Sequence, residues 1–177
     1  MVPADSPRDN RIASAALTIR AATLEDVPAI AEIFNHAIAH TTASFYRDPR
    51  TLEQRTAWLN NRKDRYAVLV ADNGSQVVGW VALDPWSEKW GYRISAEVSY
   101  YVDPDFHGQG IGSQLVERIT DVARENDFQN ILAKICENNE LSLKVAERYG
   151  FECVGTLKSI GEKFGQVYDV HFYQKQL

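Results

Sequence analysis

The sequence predicts an α/β protein in which helices flank both faces of a mixed β-sheet of about six to seven strands. Three observations support this class. Short segments rich in β-branched and aromatic residues recur along the chain, and stretches between them carry apolar residues at helical spacing. Near the middle, a strand at 98–102 leads through a glycine-rich loop into a helix. Strands that precede and follow such helices fit a sandwich around a mixed sheet.

The predicted domain extends from residue 17 to residue 177. The preceding residues, 1–16, are polar and lack periodicity, so we expect them to form a flexible tail. The domain is long enough to bury a core. Its predicted strands are residues 17–20, 66–71, 76–83, 98–102, 130–135, 152–159 and 166–174.

Capping patterns mark the first two helices. Thr23 stands three positions before Asp26, and Thr51 stands three positions before Gln54, which predicts a helix start at each place. The connection between these helices, residues 40–49, is long for a connector. We therefore expect it to face a ligand.

Composition and charge argue against several classes of function. The net charge of −5 argues against a general nucleic-acid binder, which carries a basic face. No apolar run is long enough to span a membrane and no signal peptide is visible, so we expect a cytoplasmic protein without a membrane partner. The two cysteines, Cys136 and Cys153, lack a metal-binding spacing. We expect both to be reduced core residues, and no metal cofactor is predicted.

The loop at 107–112 places three glycines at alternate positions before a helix. Gly108, Gly110 and Gly112 let the backbone approach a ligand closely and adopt positive φ. The N-terminus of the following helix would present unpaired N–H groups to an anion such as phosphate. The spacing is neither the Rossmann fingerprint nor a Walker loop. The pattern alone leaves two interpretations open, a tight strand-to-helix turn and a phosphate cradle.

A second motif occupies residues 139–151. Asn139 and Ser142 stand at the start of a predicted helix that ends at Gly150, just before Phe151. Taken by itself, Asn139 fits the N-cap of that helix.

Together the two motifs resemble those of the GNAT superfamily of N-acetyltransferases. The loop motif is carried by His107, Gly110 and Gly112, with His107 where the family usually has Arg or Gln. The second motif is carried by Asn139 and Ser142. The resemblance covers nearly all of the predicted domain and implies the GNAT fold, an enzyme, and acetyl-CoA as co-substrate. The cofactor-binding residues that it implies are Tyr100, Tyr101, Val102, His107, Gly108, Gln109, Gly110, Ile111, Gly112, Ser113, Asn139 and Ser142.

Four local patches narrow the resemblance to the branch that includes phosphinothricin and methionine-sulfone acetyltransferases. They lie at residues 34–36, 85–86, 92–97 and 161–172, and the last contains the string Gly-x-Lys-x-Gly followed by Asp-Val and Phe. This resemblance implies transfer of the acetyl group to the primary amine of a small amino-acid-like acceptor, by direct attack in a ternary complex. It also implies a homodimer.

Glu97 is the candidate catalytic residue. An ammonium group has no lone pair with which to attack a thioester, so a carboxylate on the central strand could remove the amine proton directly or through water. The branch resemblance implies a glutamate base at this position. The other interpretation is an exposed strand carboxylate or an ion-pair partner for Arg93.

The predicted acceptor-binding residues lie near this strand in sequence or belong to the branch patches. The resemblance implies that Arg93 binds the acceptor's carboxylate, a task that guanidinium geometry suits, and the alternative is a solvated arginine. Aromatic residues could wall a side-chain pocket, although they also build ordinary cores. The full set is Phe34, Trp86, Tyr92, Arg93 and Ser95.

One position departs from the family pattern. Many members have a Tyr, and the phosphinothricin enzymes a His, four residues after the motif serine, where this chain has Ala146. The departing thiolate must take its proton elsewhere or leave as the anion, since thiols ionise near neutral pH.

Two other functions stay open: acetylation of a protein N-terminus or lysine, and acyl-CoA binding with weak catalysis. The presence of Glu97 beside a complete acceptor patch argues against the second of these.

Overall fold

The computed structural model describes residues 17–177, and the tail predicted at 1–16 lies outside the described residues. Seven strands form one sheet: β1 (Thr18–Ala21), β2 (Val68–Asp72), β3 (Val77–Pro85), β4 (Ser95–Val102), β5 (Asn130–Cys136), β6 (Glu152–Lys163) and β7 (Gln166–Gln176). The α-helices of this range are α1 (Val27–His40), α2 (Leu52–Asn60), α3 (Ile111–Glu125) and α4 (Glu140–Arg148). None of these helices is both long and apolar enough to cross a lipid bilayer.

The sheet is mixed, as the sequence predicted. Its strands lie in the order β1-β2-β3-β4-β5-β7-β6. Every neighbouring pair is antiparallel except β4 and β5, which run parallel. Parallel neighbours need a crossover connection, and α3 supplies it.

The pairing between β4 and β5 stops early. Residues Ser95 to Glu97 pair with residues 130–132, and no further pairs of these two strands are formed in the described chain. Beyond this point β4 continues to pair with β3 as far as Val102, and β5 continues to pair with β7 as far as Cys136. A cleft therefore opens between β4 and β5 toward their C-terminal ends.

Two apolar clusters hold helices on opposite faces of the sheet, which confirms the predicted layers. On one face α3 packs through Leu115 against residues that include Val98 of β4. On the other face α1 packs against a cluster that contains Trp80 and the partly buried Tyr101. Because successive side chains of a strand alternate between faces, Glu97 lies on the same face as Tyr101.

Both predicted capping boxes are present. Asp26 Oδ2 accepts a hydrogen bond from the Thr23 backbone N–H at 2.7 Å, and a short 3-10 turn then leads into α1. Thr51 Oγ1 accepts a hydrogen bond from the Gln54 N–H at 3.1 Å, and the Gln54 side chain accepts one from the Thr51 N–H at 3.0 Å. The second box caps α2 itself, whereas the first caps the 3-10 turn Leu24–Asp26, so α1 begins at Val27, later than the sequence predicted.

The last hairpin differs most from the prediction. The sequence predicts that β6 ends at residue 159, but the strand continues to Lys163. Ser159 adopts a φ of 51° and the register with β7 shifts in this region, so the strand passes through an irregularity instead of ending there. Phe164 and Gly165, with φ values of 53° and 72°, form the turn into β7.

Candidate active site

Two adjoining cavities occupy the cleft between β4 and β5. The larger, of about 680 Å³, contains Glu97 in its lining, and the smaller, of about 550 Å³, reaches the glycine loop. We call them the base cavity and the loop cavity. Both are lined by Tyr100, Tyr101, Asn139 and Ser142. They therefore form one groove that joins the candidate base to the candidate phosphate cradle.

The glycine loop leaves the first turn of α3 open to an anion. Gly110 is the N-cap residue with a φ of 77°, and Gly108 has a φ of 78°, a conformation that favours glycine. Within the described chain no side chain caps this helix. The N–H groups of its first turn lack intrahelical acceptors, and the helix dipole adds positive potential at the same place. This end of the groove therefore has the properties of a phosphate site.

Close contacts bring the loop against β4. A Cβ atom on Gly112 would lie only 2.9 Å from Cε2 of Tyr100, so a larger residue would push α3 away from the strand. His107 Nε2 lies 3.0 Å from the Val102 carbonyl oxygen, and a ring N–H donated there ties the loop to the end of β4. Every predicted cofactor-binding residue except Gln109 lines the loop cavity.

Asn139 both caps α4 and lines the groove. Its Oδ1 accepts a hydrogen bond from the Ser142 N–H at 3.3 Å, which confirms the N-cap interpretation. The Tyr100 hydroxyl donates to Ser142 Oγ at 3.2 Å, and burial raises the pKa of Tyr100, so this phenol is protonated at neutral pH. Ala146, one turn further along α4, lines the base cavity. The wall formed by α4 is thus polar at its start and apolar at Ala146.

Glu97 forms an ion pair with Lys134 of β5. Its Oε2 lies 2.8 Å from Lys134 Nζ, and about a quarter of the Glu97 side chain (26%) remains exposed. Both residues line the base cavity. The sequence suggested Arg93 as an ion-pair partner and did not single out Lys134. The sequence feature that could have indicated Lys134 is its position as the one charged residue in the otherwise apolar segment 131–136.

Three of the predicted acceptor-binding residues do not line the base cavity. Trp86 packs on Phe172, with ring centroids 6.2 Å apart, and Phe172 lines the cavity. Phe34 is buried and packs on Tyr101 with a centroid distance of 4.9 Å. Ser95 begins β4 at the closed end of the cleft. None of the three lines the cavity, and Trp86 and Phe34 pack on residues that do.

Arg93 and Tyr92 lie outside the base cavity. Arg93 is exposed, lines a separate depression with Asp84, and places its guanidinium 3.6 Å from the centroid of the Trp90 ring. Tyr92 is about half exposed. Asp84 is the cross-strand partner of Glu97, so the depression borders the strand next to the one that carries Glu97.

The connection between α1 and α2 covers the base cavity. We call its central residues, 42–46, the covering segment; they are Thr42, Ala43, Ser44, Phe45 and Tyr46, and all five line the cavity. The Tyr101 hydroxyl donates to the Ala43 carbonyl oxygen at 3.4 Å, and burial raises the pKa of Tyr101 well above its usual value. The length of this connection predicted that it faces a ligand, but no motif distinguished its individual residues.

The two cysteines differ in their burial. Cys136 is buried and lines the base cavity, whereas Cys153 is exposed, so the expectation of two core cysteines holds for Cys136 alone. Among residues 17–177, no group of three or more His, Cys, Asp or Glu side chains is placed to hold a metal ion.

Comparison with known proteins identifies the family. The acetyltransferase (GNAT) domain family matches residues 16–152. Phosphinothricin N-acetyltransferase of Streptomyces coelicolor is 31% identical over 168 residues, which cover 93% of this chain and 98% of that protein. L-methionine sulfoximine/L-methionine sulfone acetyltransferase of Pseudomonas aeruginosa is 35% identical over 162 residues, which cover 90% of this chain and 94% of that protein.

Solved structures agree with the sequence relatives. Ribosomal-protein-alanine N-acetyltransferase from Brucella melitensis is 40% identical with a TM-score of 0.88, covering 91% of this chain and 100% of that chain. The putative acetyltransferase yncA from Salmonella typhimurium, solved with its cofactor acetyl-CoA, is 34% identical with a TM-score of 0.88, covering 91% of this chain and 94% of that chain. The fold and the groove define an acetyl-group transferase. The chain belongs to the GNAT family of acetyltransferases, which confirms the resemblance seen in its motifs.

The anion site at α3 can be tested with Gly110→Glu. This change would place a carboxylate where the diphosphate of acetyl-CoA is expected, and like charges meeting at that range should weaken binding roughly a hundredfold. Calorimetric titration with acetyl-CoA measures the effect. Gly110→Ala is the matched control, because it adds the same positive-φ strain, about 1 kcal/mol, without a charge. A Cβ atom there meets nothing within 4 Å. Equal affinity of the two variants would place the diphosphate elsewhere.

Proposed function

We propose that this acetyltransferase moves the acetyl group of acetyl-CoA to the primary amine of a small amino-acid-like acceptor, of the phosphinothricin, methionine sulfone or methionine sulfoximine type. The observation that carries the proposal is Glu97, which lies near the closed end of a groove whose other end is an anion-binding helix start. Relatives named for such acceptors match at least 90% of the chain.

The loop end of the groove suits the donor. The N–H groups of the first turn of α3 would bind the diphosphate. Beyond Glu97, the edge of β4 no longer pairs with β5, so its backbone groups face the cleft. They are available to the amide groups of a pantetheine arm, much as a sheet edge accepts an added strand. Asn139 and Ser142 line the same path.

Glu97 is the proposed base. The acceptor reaches the site mostly as an ammonium ion, and Glu97 takes a proton from it directly or through one water. The freed lone pair then attacks the thioester carbonyl carbon, the N–C bond forms, the C–S bond breaks, and coenzyme A leaves as a thiolate. The nitrogen then carries one proton more than the amide product, and this proton passes to the thiolate or to water. Lys134 holds the Glu97 carboxylate in place through their 2.8 Å ion pair. With Ala146 at the wall, the thiolate relies on its own stability or on water.

The other end of the base cavity suits a compact acceptor. Apolar side chains of the covering segment and of the last hairpin, among them Phe45, Leu157 and Phe172, line the space around Glu97. We propose that Arg93 approaches the acceptor's carboxylate from the neighbouring depression. That depression is also lined by Asp84, the cross-strand partner of Glu97. A guanidinium binds a carboxylate through two parallel hydrogen bonds.

A second candidate function is acetylation of a protein N-terminus. It is favoured by the 40% identity to the structure named for a ribosomal-protein alanine. In a peptide the reacting amine has no neighbouring carboxylate, so Arg93 would have no such group to bind. Comparing turnover of methionine sulfone with that of a peptide that begins with alanine separates the two functions.

We also propose a homodimer that works in the cytoplasm, where acetyl-CoA is available. The β6–β7 hairpin exposes large apolar side chains, each between 47% and 60% accessible: Val154, Leu157, Ile160, Phe164 and Val167. Exposed apolar surface of this kind commonly marks an interface. Leu157 and Ile160 also line the base cavity, so a second copy seated on the hairpin would border the acceptor. The free thiols of Cys136 and Cys153 are compatible with a reducing compartment.

Glu97→Gln tests the proposed base. Turnover should fall by about two orders of magnitude or more, the usual scale for loss of a general base. The loss should shrink as pH rises, because more of the acceptor amine is then neutral without help. Steady-state rates across pH measure this, and Glu162→Gln, which removes a carboxylate from the same cavity, is the control. A loss that does not change with pH would show that Glu97 does not remove the proton.

Arg93→Ala tests the acceptor's carboxylate contact. The Michaelis constant for methionine sulfone should rise with little change in turnover number, because the contact exists in ground and transition states alike. The amide of methionine sulfone should be nearly insensitive to the same change. Lys89→Ala, which removes another cation from the same depression, is the control. If Arg93→Ala impairs both acceptors equally, Arg93 is structural.

Val167→Glu tests the proposed dimer. A charge in an apolar interface is costly to bury, so this variant should sediment as a monomer where the wild type sediments as a dimer. Val167 does not line either cavity, so the change leaves the groove residues in place. Leu52→Glu adds the same charge at an equally exposed apolar position on α2 and should stay dimeric. A monomeric wild type at micromolar concentration would contradict the proposal.

A further inference from the structure

The covering segment has no secondary structure of its own. Residues 41–51 between α1 and α2 belong to no helix or strand. The backbone groups of such a segment must find partners in other elements when they are buried. The side chains that supply those partners therefore decide where the wall of the base cavity lies.

One partner is Lys163, the last residue of β6. Its Nζ donates a hydrogen bond to the Ser44 carbonyl oxygen, and both residues are more than nine-tenths buried. Within residues 17–177 Lys163 forms no ion pair, and burial lowers its pKa. A lysine buried without a carboxylate is costly, and an apolar side chain would fill the space more cheaply. Lys163 differs from an apolar side chain in supplying a hydrogen-bond donor to the buried Ser44 carbonyl oxygen.

A second contact comes from Gly161, two residues earlier on the same strand. The Phe45 ring lies directly against it, so that a Cβ atom on Gly161 would be 2.4 Å from Phe45 Cε1 and 2.6 Å from Cζ. Only glycine allows the ring to lie there. Phe45 and Gly161 both line the base cavity, so this contact lies in the cavity wall.

Other contacts hold the two ends of the connection. Near its start, the Tyr101 hydroxyl donates to the Ala43 carbonyl oxygen at 3.4 Å. At its end, the Asn35 side chain donates to the Arg50 carbonyl oxygen at 2.9 Å and accepts from the Arg50 N–H at 2.7 Å. The middle, Ser44 and Phe45, is the part that contacts the β6–β7 hairpin.

We propose that Gly161 and Lys163 are positioning residues that hold Phe45 as a wall of the acceptor space and thereby limit the size of the acceptor's side chain. The proposal rests on the acetyltransferase function assigned above to the same cavity. It gives a physical role to the Gly-x-Lys part of the string at 161–165: the glycine makes room for the ring, and the lysine binds the adjacent carbonyl. The acceptors favoured are amino acids with narrow, unbranched side chains.

Gly161→Ala tests the contact without changing charge. The added methyl group must displace the Phe45 ring, and misplacement of a positioning group by about 1 Å can cost up to a hundredfold. We expect the Michaelis constant for methionine sulfone to rise about tenfold, a moderate case of that effect, while the dissociation constant of acetyl-CoA changes less than about twofold. Gly155→Ala is the matched control, because a Cβ atom on Gly155, in the same strand, meets nothing within 4 Å. Equal losses for both substrates would overturn the proposal.

The dependence on Phe45 can be measured directly. Phe45→Ala removes the ring, so Gly161→Ala should have almost no further effect on the methionine sulfone Michaelis constant in that background. Phe45→Ala should also raise kcat/KM for phenylalanine relative to methionine sulfone, because the space becomes wider. Additive effects of the two substitutions, or an unchanged preference between the two acceptors, would contradict the assigned role.

Lys163→Met gives a second test that needs no acceptor. It keeps the length of the side chain and removes the donor to Ser44, so backbone hydrogen exchange at residues 42–46 should accelerate. Lys158→Met, which removes an exposed lysine paired with Asp169 on the same hairpin, should leave that exchange unchanged. Unchanged exchange in Lys163→Met would overturn the proposal. If the wild type acetylates no amino acid, the function assigned to the cavity fails, and the exchange data still decide whether the hairpin holds the covering segment.

Discussion

The early end of the pairing between β4 and β5 is the constraint on which the groove depends. Parallel strands paired along their whole length would close the space that joins Glu97 to the glycine loop. The last pair joins Glu97 to Leu132, and beyond it each strand keeps its other neighbour, β3 for β4 and β7 for β5. The cleft therefore opens without leaving either strand unsupported. Its position also places the proposed base where the backbone of β4 becomes free to bind a ligand.

The two ends of the groove use different kinds of polar group. At α3 the groups available to an anion are backbone N–H groups, whose position depends on Gly108 and Gly110 and not on a particular side chain. A site built from backbone groups is compatible with His107 at the position where the motif resemblance implies Arg or Gln. At the other end the proposed chemistry uses a specific carboxylate, Glu97, which forms an ion pair with Lys134. We therefore expect substitutions there to have a larger chemical effect than substitutions in the loop.

The proposed acceptor side of the groove is assembled from elements that are distant in the chain. The covering segment belongs to the α1–α2 connection, whereas its contacts come from the hairpin that ends the domain. Loops supported by a rigid sheet can change without disturbing the sheet itself. This division is compatible with relatives that are named for different acceptors, including phosphinothricin and methionine sulfone.

The sequence by itself determined the fold class, the order of the elements, both capping boxes and the glycine loop, because each depends on residues that are near one another in the chain. It also identified Glu97 as the candidate base. Only the tertiary structure decided that Lys134 pairs with Glu97, that Arg93 lines a depression separate from the base cavity, and that Lys163 bonds to a carbonyl 119 positions away. Such contacts arise from the order of strands in the sheet and from the cleft between two of them. No periodicity, cap or turn pattern encodes that arrangement locally.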